Sequence, residues 1–226
     1  MIRLFHESDW SDQASRAVQD VMDTRLAEDR ECSVMLTGGR CAERFYTAWA
    51  KLLPTRTVGD VRFYFGDERC VPPDHSESNY GMVVKTLFAR GIPEGCTIFR
   101  MEADDVDREA AALRYAKALP DSIDILLLGV GEDGHIASLF PKSPALLEFH
   151  RRVVLVSSPK PPHERLTITP PVIAQAKYIF VLAAGRAKAQ VLVKALRQES
   201  NVAAMPVRMV LDATWLLDTS LLKEVH

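Results

Sequence analysis

Apolar runs of strand length alternate along the chain with longer segments in which apolar residues recur every three or four positions. The second spacing is that of a helix with one buried face, and residues 12–28 show it most clearly. The short runs are apolar throughout rather than alternating with polar residues, which is typical of strands covered on both faces of a sheet. The pattern therefore predicts βαβ units in an α/β fold, with a mostly parallel sheet and helices on both faces.

The elements predicted by this pattern span most of the chain. The predicted strands are residues 3–5, 33–36, 61–65, 123–128, 153–156 and 178–182, and the predicted helices are residues 12–28, 43–53, 80–89, 106–119 and 187–196. Residues 206–211 and 213–217 could each be helix or strand. The chain has no internal repeat and no linker long enough to divide it, so we expect residues 1–226 to form a single domain.

Composition narrows the class of protein. Lys and Arg number 28 against 30 Asp and Glu, without a basic block or tail, so nucleic acid is not an expected partner. The four cysteines form no Cys-x-x-Cys pair and have no zinc-like spacing with histidines. No secretory signal is visible, and no apolar run approaches the roughly 20 residues that a membrane span needs. We therefore expect a cytoplasmic protein that does not associate with membranes.

The segment after the predicted strand 123–128 carries the side chain best suited to move a proton. The apolar run ends in glycines, and Asp133 and His135 then follow two residues apart. His135 is of the type that titrates near pH 7, while spacing alone leaves open whether Asp133 orients it or faces a substrate. Ligands of α/β sheets bind at the carboxyl ends of the strands, where this loop is expected to lie. An ordinary surface histidine is the alternative interpretation.

Two further loops also follow predicted strands. In the first, Gly38 and Gly39 allow close approach of the backbone to a ligand, and the helix start and Arg40 favour an anion. In the second, Asp67 could bind substrate hydroxyls and Arg69 a negatively charged oxygen, because a planar guanidinium suits phosphate and carboxylate. Alternatively, Asp67 and the neighbouring Glu68 pair with Arg69 on a solvated surface.

Three more cations complete the set. Lys160 and Arg165 lie in the proline-rich segment 157–165, and Lys188 lies early in the helix after Gly185. Long cationic side chains on a stiffened loop suit a phosphate, although Lys160 and Arg165 could equally be solvated. A lysine near a helix start, such as Lys188, is usually just solvated, and it opposes the helix dipole unless an anion is present. Taken together, the loops indicate an enzyme that acts on a polar, phosphorylated small molecule by proton transfer, without a metal.

Four blocks of the chain, in the same order, resemble the 6-phosphogluconolactonase family. They are residues 66–72 with 78–80, 129–141, 159–162 with 165–167, and 184–188. The resemblance implies a Rossmann-like fold shared with glucosamine-6-phosphate deaminase and ribose-5-phosphate isomerase, and no required cofactor. It implies hydrolysis of 6-phospho-D-glucono-1,5-lactone to 6-phospho-D-gluconate in the oxidative pentose phosphate pathway. The expected partner is thus a phosphorylated sugar lactone, and we expect a monomer or weak homo-oligomer.

The resemblance also suggests roles for the candidate residues. His135 would act as general base and then general acid, Arg69 would stabilise the oxyanion, and Asp133 would orient His135 or bind hydroxyls. The predicted substrate-binding residues are Asp67, Gly38, Gly39, Arg40, Lys160, Arg165 and Lys188.

One loop departs from the family pattern and keeps two alternatives open. The family usually has Ser-Gly-Gly-Ser-Thr-Pro where this chain has Thr-Gly-Gly-Arg-Cys-Ala at residues 37–42, so Arg40 either replaces the lost hydroxyl donors or blocks the site. The altered loop suggests a non-catalytic sugar-phosphate sensor as one alternative. An amino-sugar-phosphate deaminase or isomerase is the other, and it is disfavoured because residues 138–141 lack the glutamate that deaminases place there.

Overall fold

The computed structural model describes residues 1–197 and 201–220. The strands are β1 (Ile2–Phe5), β2 (Glu31–Leu36), β3 (Arg56–Phe65), β4 (Asp67–Arg69), β5 (Glu94–Ile98), β6 (Ile125–Gly129), β7 (Val153–Ser157), β8 (Glu164–Ile168), β9 (Tyr178–Ala183) and β10 (Thr214–Asp218). The helices are α1 (Trp10–Asp29), α2 (Arg40–Trp49), α3 (Asn79–Thr86), α4 (Arg108–Ala118), α5 (Pro170–Ala174) and α6 (Arg186–Leu196), with 3₁₀ turns at Pro144–Leu147 and Pro206–Val210.

Seven strands form one sheet in the order β1-β10-β9-β6-β2-β3-β5, and every neighbouring pair is parallel. Residues 32–36 of β2 and 125–128 of β6 are buried at consecutive positions, so both faces of the sheet are covered. The prediction of a mostly parallel α/β sheet with helices is confirmed. From β2 the chain adds β3 and β5 on one side, whereas β6, β9 and β10 extend the other side. The strand order therefore reverses between β2 and β6, where sheets of this kind bind ligands.

Two tryptophans fix the first two helices. Trp10 of α1 donates from Nε1 to the carbonyl of Leu216 in β10 at 2.9 Å, and Trp49 of α2 donates to Oε1 of Gln19 at 2.7 Å. Both rings are fully buried, and burial of a large side chain of this kind contributes about 2–3 kcal/mol. Satisfying each indole N–H avoids the cost of a buried donor. The packing holds α2 so that it begins directly after the turn that follows β2.

A second sheet corrects one prediction. The predicted strand 153–156, observed as β7, does not join the parallel sheet but pairs antiparallel with β8, which pairs antiparallel with β4. An apolar run is equally compatible with either kind of buried strand, so its pattern could not tell which sheet it joins.

Several elements were not predicted from the pattern. β4 and β8 are short and carry charged residues, and β8 begins inside the proline-rich segment that was expected to be a loop. β5 and α5 were also missed. Of the two ambiguous segments, 206–211 contains a 3₁₀ turn, and 213–217 corresponds to strand β10 of the parallel sheet. Among the described residues, no helix has both the length and the apolar character needed to cross a membrane.

Candidate active site

The turns after β2 and β6 are joined at the point where the strand order reverses. Thr37 follows β2, and its Oγ1 accepts a hydrogen bond from the amide of Gly129 at 3.0 Å. Tyr46 of α2 holds the same turn, because its hydroxyl accepts from the Thr37 amide at 2.8 Å and donates to the Thr37 carbonyl at 2.9 Å. Burial raises the pKa of Tyr46, so the phenol stays neutral and can serve both bonds. The floor of the site is thus a fixed backbone structure.

A cavity of about 210 Å³ opens above these turns. It is lined by eight of the residues predicted from the sequence, namely Gly38, Gly39, Asp67, Arg69, His135, Lys160, Arg165 and Lys188. Residues from β4, β8 and α6 thus meet the loops after β2 and β6. One imidazole, the two carboxylates of Asp67 and Glu132, and four cations converge on this cavity. The excess of cations suits a phosphorylated ligand.

The two remaining predicted residues lie beside this cavity. Asp133 contacts Nδ1 of His135 and lines a larger groove of about 960 Å³ between β7 and the 3₁₀ turn Pro144–Leu147. Arg40 lines an adjoining cavity of about 420 Å³ together with Arg44 and Arg186. The groove is larger than the cavity, but its lining contains neither His135 nor any of these four cations, so the smaller cavity is the candidate for the reaction chemistry.

His135 and Asp133 form a close pair. Nδ1 of His135 lies 2.5 Å from Oδ1 of Asp133, and the imidazole side chain is 28% exposed. Burial acts to raise the pKa of Asp133, but the hydrogen bond and charge of His135 outweigh it and lower this pKa to about 2. The carboxylate is therefore ionised at neutral pH and can only accept, so Nδ1 carries the hydrogen. In the neutral imidazole the lone pair is then on Nε2.

The glycine at position 131 permits this pairing. A Cβ atom built on Gly131 would lie 2.1 Å from the ring of His135 and 2.5 Å from Oδ1 of Asp133. A distance below 3 Å cannot be tolerated at a rigid ring, so only glycine fits here without displacing the pair. The ring of Phe140 lies on another side of His135, with the two ring centroids 4.7 Å apart.

Asp67 is a buried carboxylate, and it faces the cavity from the start of β4. It is 5% exposed. Its Oδ2 accepts from the hydroxyl of Ser138 at 2.6 Å, and its Oδ1 accepts from Nδ2 of Asn79 at 3.2 Å. Since neither donor carries a charge, the negative charge of Asp67 remains available to polar groups of a ligand.

Glu68 is buried next to the site but points away from it. Its carboxylate accepts from the amides of Arg69, Asn79 and Tyr80, each at 2.8 Å, and from the hydroxyl of Ser78 at 3.1 Å. Burial raises its pKa, and the three amide hydrogen bonds oppose this shift. Glu68 thus connects β4 to the start of α3 through hydrogen bonds.

Two arginines face each other across the antiparallel pair of β4 and β8. Arg69 is the direct cross-strand partner of Arg165, and like charges in this arrangement repel. Nη1 of Arg69 donates to the carbonyl of Glu77 at 2.6 Å and to its carboxylate at 3.3 Å. Its Nε is buried without a hydrogen-bond partner in the described part of the chain. Burial, followed by the charge of Arg69, lowers the pKa of Arg165. An anion bound between these side chains would relieve both effects.

Two further cations, Arg165 and Lys188, are held by main-chain oxygens. Nε of Arg165 donates to the carbonyl of Pro162 at 3.2 Å, and its guanidinium lies 5.6 Å from the centroid of the Phe140 ring. Nζ of Lys188, in the first turn of α6, donates to the carbonyl of Val130 at 2.5 Å. Neutral carbonyls position these cations but leave their charge available.

The structure adds site residues that the sequence reasoning did not single out, namely Thr37, Asn79 and Ser138. Asn79 and Ser138 lie inside blocks quoted for the resemblance, and Thr37 begins the loop that departs from the family pattern, but the hydroxyls and the amide gave no signal of their own. Their role depends on which strand ends meet in space.

Fold and site together define an α/β protein with a histidine–carboxylate pair and a cationic cavity at the switch point of a parallel sheet. Residues 6–217 match the family model described as "Glucosamine-6-phosphate isomerases/6-phosphogluconolactonase". The 6-phosphogluconolactonase of Streptomyces coelicolor is 35% identical over 92% of this chain and 87% of that protein. The human 6-phosphogluconolactonase is 43% identical over 68% of this chain and 64% of that protein.

A solved structure agrees with the sequence relatives. The crystal structure of the Thermotoga maritima 6-phosphogluconolactonase superposes with a TM-score of 0.83 at 25% identity, covering 97% of this chain and 99% of that one. The chain therefore belongs to the glucosamine-6-phosphate isomerase/6-phosphogluconolactonase family.

Proposed function

We propose that this protein hydrolyses 6-phospho-D-glucono-1,5-lactone to 6-phospho-D-gluconate, a step of the oxidative pentose phosphate pathway. Relatives that carry the lactonase name align with most of the chain, at 35% identity in the case of the Streptomyces coelicolor protein. The observation that carries the mechanism is the pairing of His135 with Asp133 at 2.5 Å beside a cavity lined by cations.

Proton transfer is the task of His135. Because Asp133 accepts the hydrogen on Nδ1, the free lone pair on Nε2 takes a proton from a water molecule as the water oxygen bonds to C1 of the lactone. The C1–ring-oxygen bond then breaks, and the imidazolium returns the proton to the leaving ring oxygen. A positioned acid–base group of this kind contributes roughly 10²- to 10⁴-fold to the rate.

Charge develops on the former carbonyl oxygen during the attack. Arg69 is the candidate that stabilises it, and its position in the lining of the cavity supports this role. A donor aimed at a developing oxyanion in a site shielded from water is worth more than the same donor in bulk solvent.

Binding of the substrate uses the remaining cavity residues. Arg165, Lys188 and the amides of Gly38 and Gly39 hold the 6-phosphate, since charged donors and helix-start amides suit phosphate oxygens. Asp67 accepts from sugar hydroxyls, and Lys160 adds positive charge at the rim. Arg40, in the adjoining cavity, contributes to attraction of the dianion at longer range.

The proposal is tested by following lactone opening with the wild-type protein, using lactone generated in situ from glucose 6-phosphate. The spontaneous rate must be subtracted, because this lactone also opens in water unaided. We expect a rate well above background. A rate equal to background, together with binding of 6-phosphogluconate, would overturn the proposal in favour of a sugar-phosphate sensor.

Deamination or isomerisation of an amino-sugar phosphate is the second candidate, because the family model includes those enzymes. In this chain Phe140 stands where deaminases have a glutamate, and its ring lies against His135. An apolar ring cannot replace a carboxylate in proton transfer. A coupled assay for fructose 6-phosphate, with glucosamine 6-phosphate as substrate, should therefore give no product.

We also propose that residues 1–226 work as one domain, as a monomer or weak homo-oligomer. One hydrophobic core cluster connects residues from Trp10 to Leu217, which supports a single folding unit. Light scattering at two protein concentrations would measure the oligomeric state, and a single unfolding transition would support one domain.

A further inference from the structure

Asn79, the first residue of α3, lies between two separate parts of the site. Its side chain is buried, at 2% exposure. Nδ2 donates to the main-chain carbonyl of Asp67 at 2.9 Å and to the carboxylate of Asp67 at 3.2 Å. The same amide therefore contacts both the backbone and the side chain of the residue proposed to bind substrate hydroxyls.

The other side of Asn79 is packed against the glycine turn after β2. A Cβ atom built on Gly38 would lie 2.0 Å from Oδ1 of Asn79 and 2.5 Å from its Cγ. The two residues are thus in direct contact, and the absence of a side chain at position 38 leaves the space that the amide fills. Asn79 in this way spaces Asp67 from the turn proposed to bind phosphate.

The amide itself has a rigid support. The main-chain N–H of Asn79 donates to Oε1 of Glu68 at 2.8 Å, and the neighbouring Ser78 caps α3 by accepting from the amide of Gly81 at 3.0 Å. Ser78 also donates to Glu68. A buried carboxylate that accepts several hydrogen bonds fixes the backbone of the helix start, so the side chain of Asn79 has little freedom to move.

Asp67 needs this support because its carboxylate is attached to a short strand. Its two oxygens each accept from one neutral side chain, Ser138 on Oδ2 and Asn79 on Oδ1. With both donors in place one rotamer is selected, and loss of either lets the carboxylate turn.

We propose that Asn79 is a positioning residue for substrate binding, which acts by holding the carboxylate of Asp67 in its orientation toward the cavity. The inference rests on the proposed function, since Asp67 is taken to bind substrate hydroxyls. It goes beyond that function by giving a role to a residue that faces Asp67 and Gly38.

The experiment is a double-mutant cycle on kcat and KM with Asn79→Ala, Asp67→Ala and the double variant. Asn79→Ala should lower kcat/KM by roughly 10-fold, chiefly through KM, as expected for one hydrogen bond to a charged group. In the Asp67→Ala background the same change should have almost no further effect. An equal loss in both backgrounds would overturn the proposal, because a general structural role does not depend on Asp67.

Asn79→Asp separates hydrogen bonding from space filling. The shape of the side chain is kept, but an ionised carboxylate donates nothing and repels Asp67, so kcat/KM should fall at least as far as in Asn79→Ala. Activity of Asn79→Asp close to the wild-type level would overturn the proposal. Gln19→Ala is the matched control, since it removes another buried amide, between α1 and α2, and should lower Tm without changing KM.

Crystal structures of wild type and Asn79→Ala decide the inference independently of activity. A turned Asp67 carboxylate in Asn79→Ala supports positioning, and an unmoved one overturns it. If the wild-type protein fails to open the lactone, the proposed function is wrong, and the position of Asp67 in the variant still decides whether Asn79 orients it.

Discussion

Charged side chains at the two edges of the parallel sheet have different kinds of hydrogen-bond partner. At the amino edge, Asp124 accepts from the amide and hydroxyl of Ser33 at 2.9 and 2.8 Å, from Lys177 at 2.9 Å and from Arg25 at 3.2 Å. At the carboxyl edge, Arg165 and Lys188 donate to main-chain carbonyls instead of carboxylates. The charge of Asp124 is balanced within the protein, whereas Arg165 and Lys188 keep positive charge for a ligand, unlike Arg69 at the same edge, which pairs with Glu77.

This difference separates charges that stabilise the fold from charges that serve the reaction. A carboxylate whose lone pairs are all used by the protein has nothing left for a substrate. Cations that donate only to neutral oxygens are not neutralised by the protein. Like charges that lie close together repel each other until an anion binds between them. The comparison predicts that substitutions at the carboxyl edge change kinetics and that substitutions at the amino edge change stability.

Among the substitutions that compare the two edges, the largest effect is expected for Arg165→Ala. Because the buried guanidinium is proposed to hold the 6-phosphate, KM should rise by roughly 10- to 100-fold, as for loss of a charge-assisted contact. Steady-state kinetics of lactone opening would measure it, with thermal unfolding as the control for folding. A fall in kcat at unchanged KM would contradict a role in phosphate binding.

At the opposite edge, Asp124→Ala should destabilise the protein by about 2 kcal/mol, because Lys177, Arg25 and the Ser33 hydroxyl lose their shared acceptor. KM should stay at the wild-type value, since the residue is at the other end of β6. Urea unfolding measures the first quantity. A large change in KM without loss of stability would break the distinction between the two edges.

The same residue predicts a pH dependence. Burial opposes ionisation of Asp124, but Lys177 and Ser33 outweigh it and hold its pKa below the ordinary value. A group with a depressed folded pKa contributes stability that is fully present above its unfolded pKa of about 3.9 and is lost as the pH falls through the folded value. The urea midpoint should therefore fall more steeply below pH 4 in wild type than in Asp124→Ala. Equal slopes would show that Asp124 does not contribute.

The sequence pattern predicted the loop after β6 at the carboxyl edge, but it did not predict strand β8, which completes the site. The β6 loop was predictable because a continuous apolar run ends in glycine, and His135 follows within the loop. β8 was not, because Glu164, Arg165 and Thr167 make it too polar to read as a buried strand, and its pairing with β4 is what brings Arg165 opposite Arg69. Pairing across separate parts of the chain leaves no local signature.

The roles of Asp133 and Asp67 could likewise not be decided from the sequence alone. Spacing could not decide between Asp133 as a partner of His135 and Asp133 as a substrate ligand, because side-chain direction depends on the backbone of the turn. In the structure, Asp133 contacts His135 and Asp67 faces the cavity. Ser138 and Asn79 were not singled out, since their importance comes from their contacts with Asp67.

The smallest effect is expected for Arg40→Ser, which restores the residue usual in the family. Arg40 is exposed and lines the adjoining cavity, so its attraction for the phosphate is screened by salt. KM should rise by about threefold at low ionic strength and change less at high ionic strength. A lower KM in the variant would show that Arg40 obstructs the site rather than supports binding.

His135, oriented by Asp133, is proposed to carry the proton transfer in lactone hydrolysis. The measurement that tests it most directly compares wild type, His135→Ala and the control His6→Ala in lactone opening, with the spontaneous rate subtracted. We predict a loss of roughly 10²-fold or more in kcat for His135→Ala, with 6-phosphogluconate binding retained, and wild-type kinetics for His6→Ala. Near-normal turnover by His135→Ala would contradict the assignment of the base.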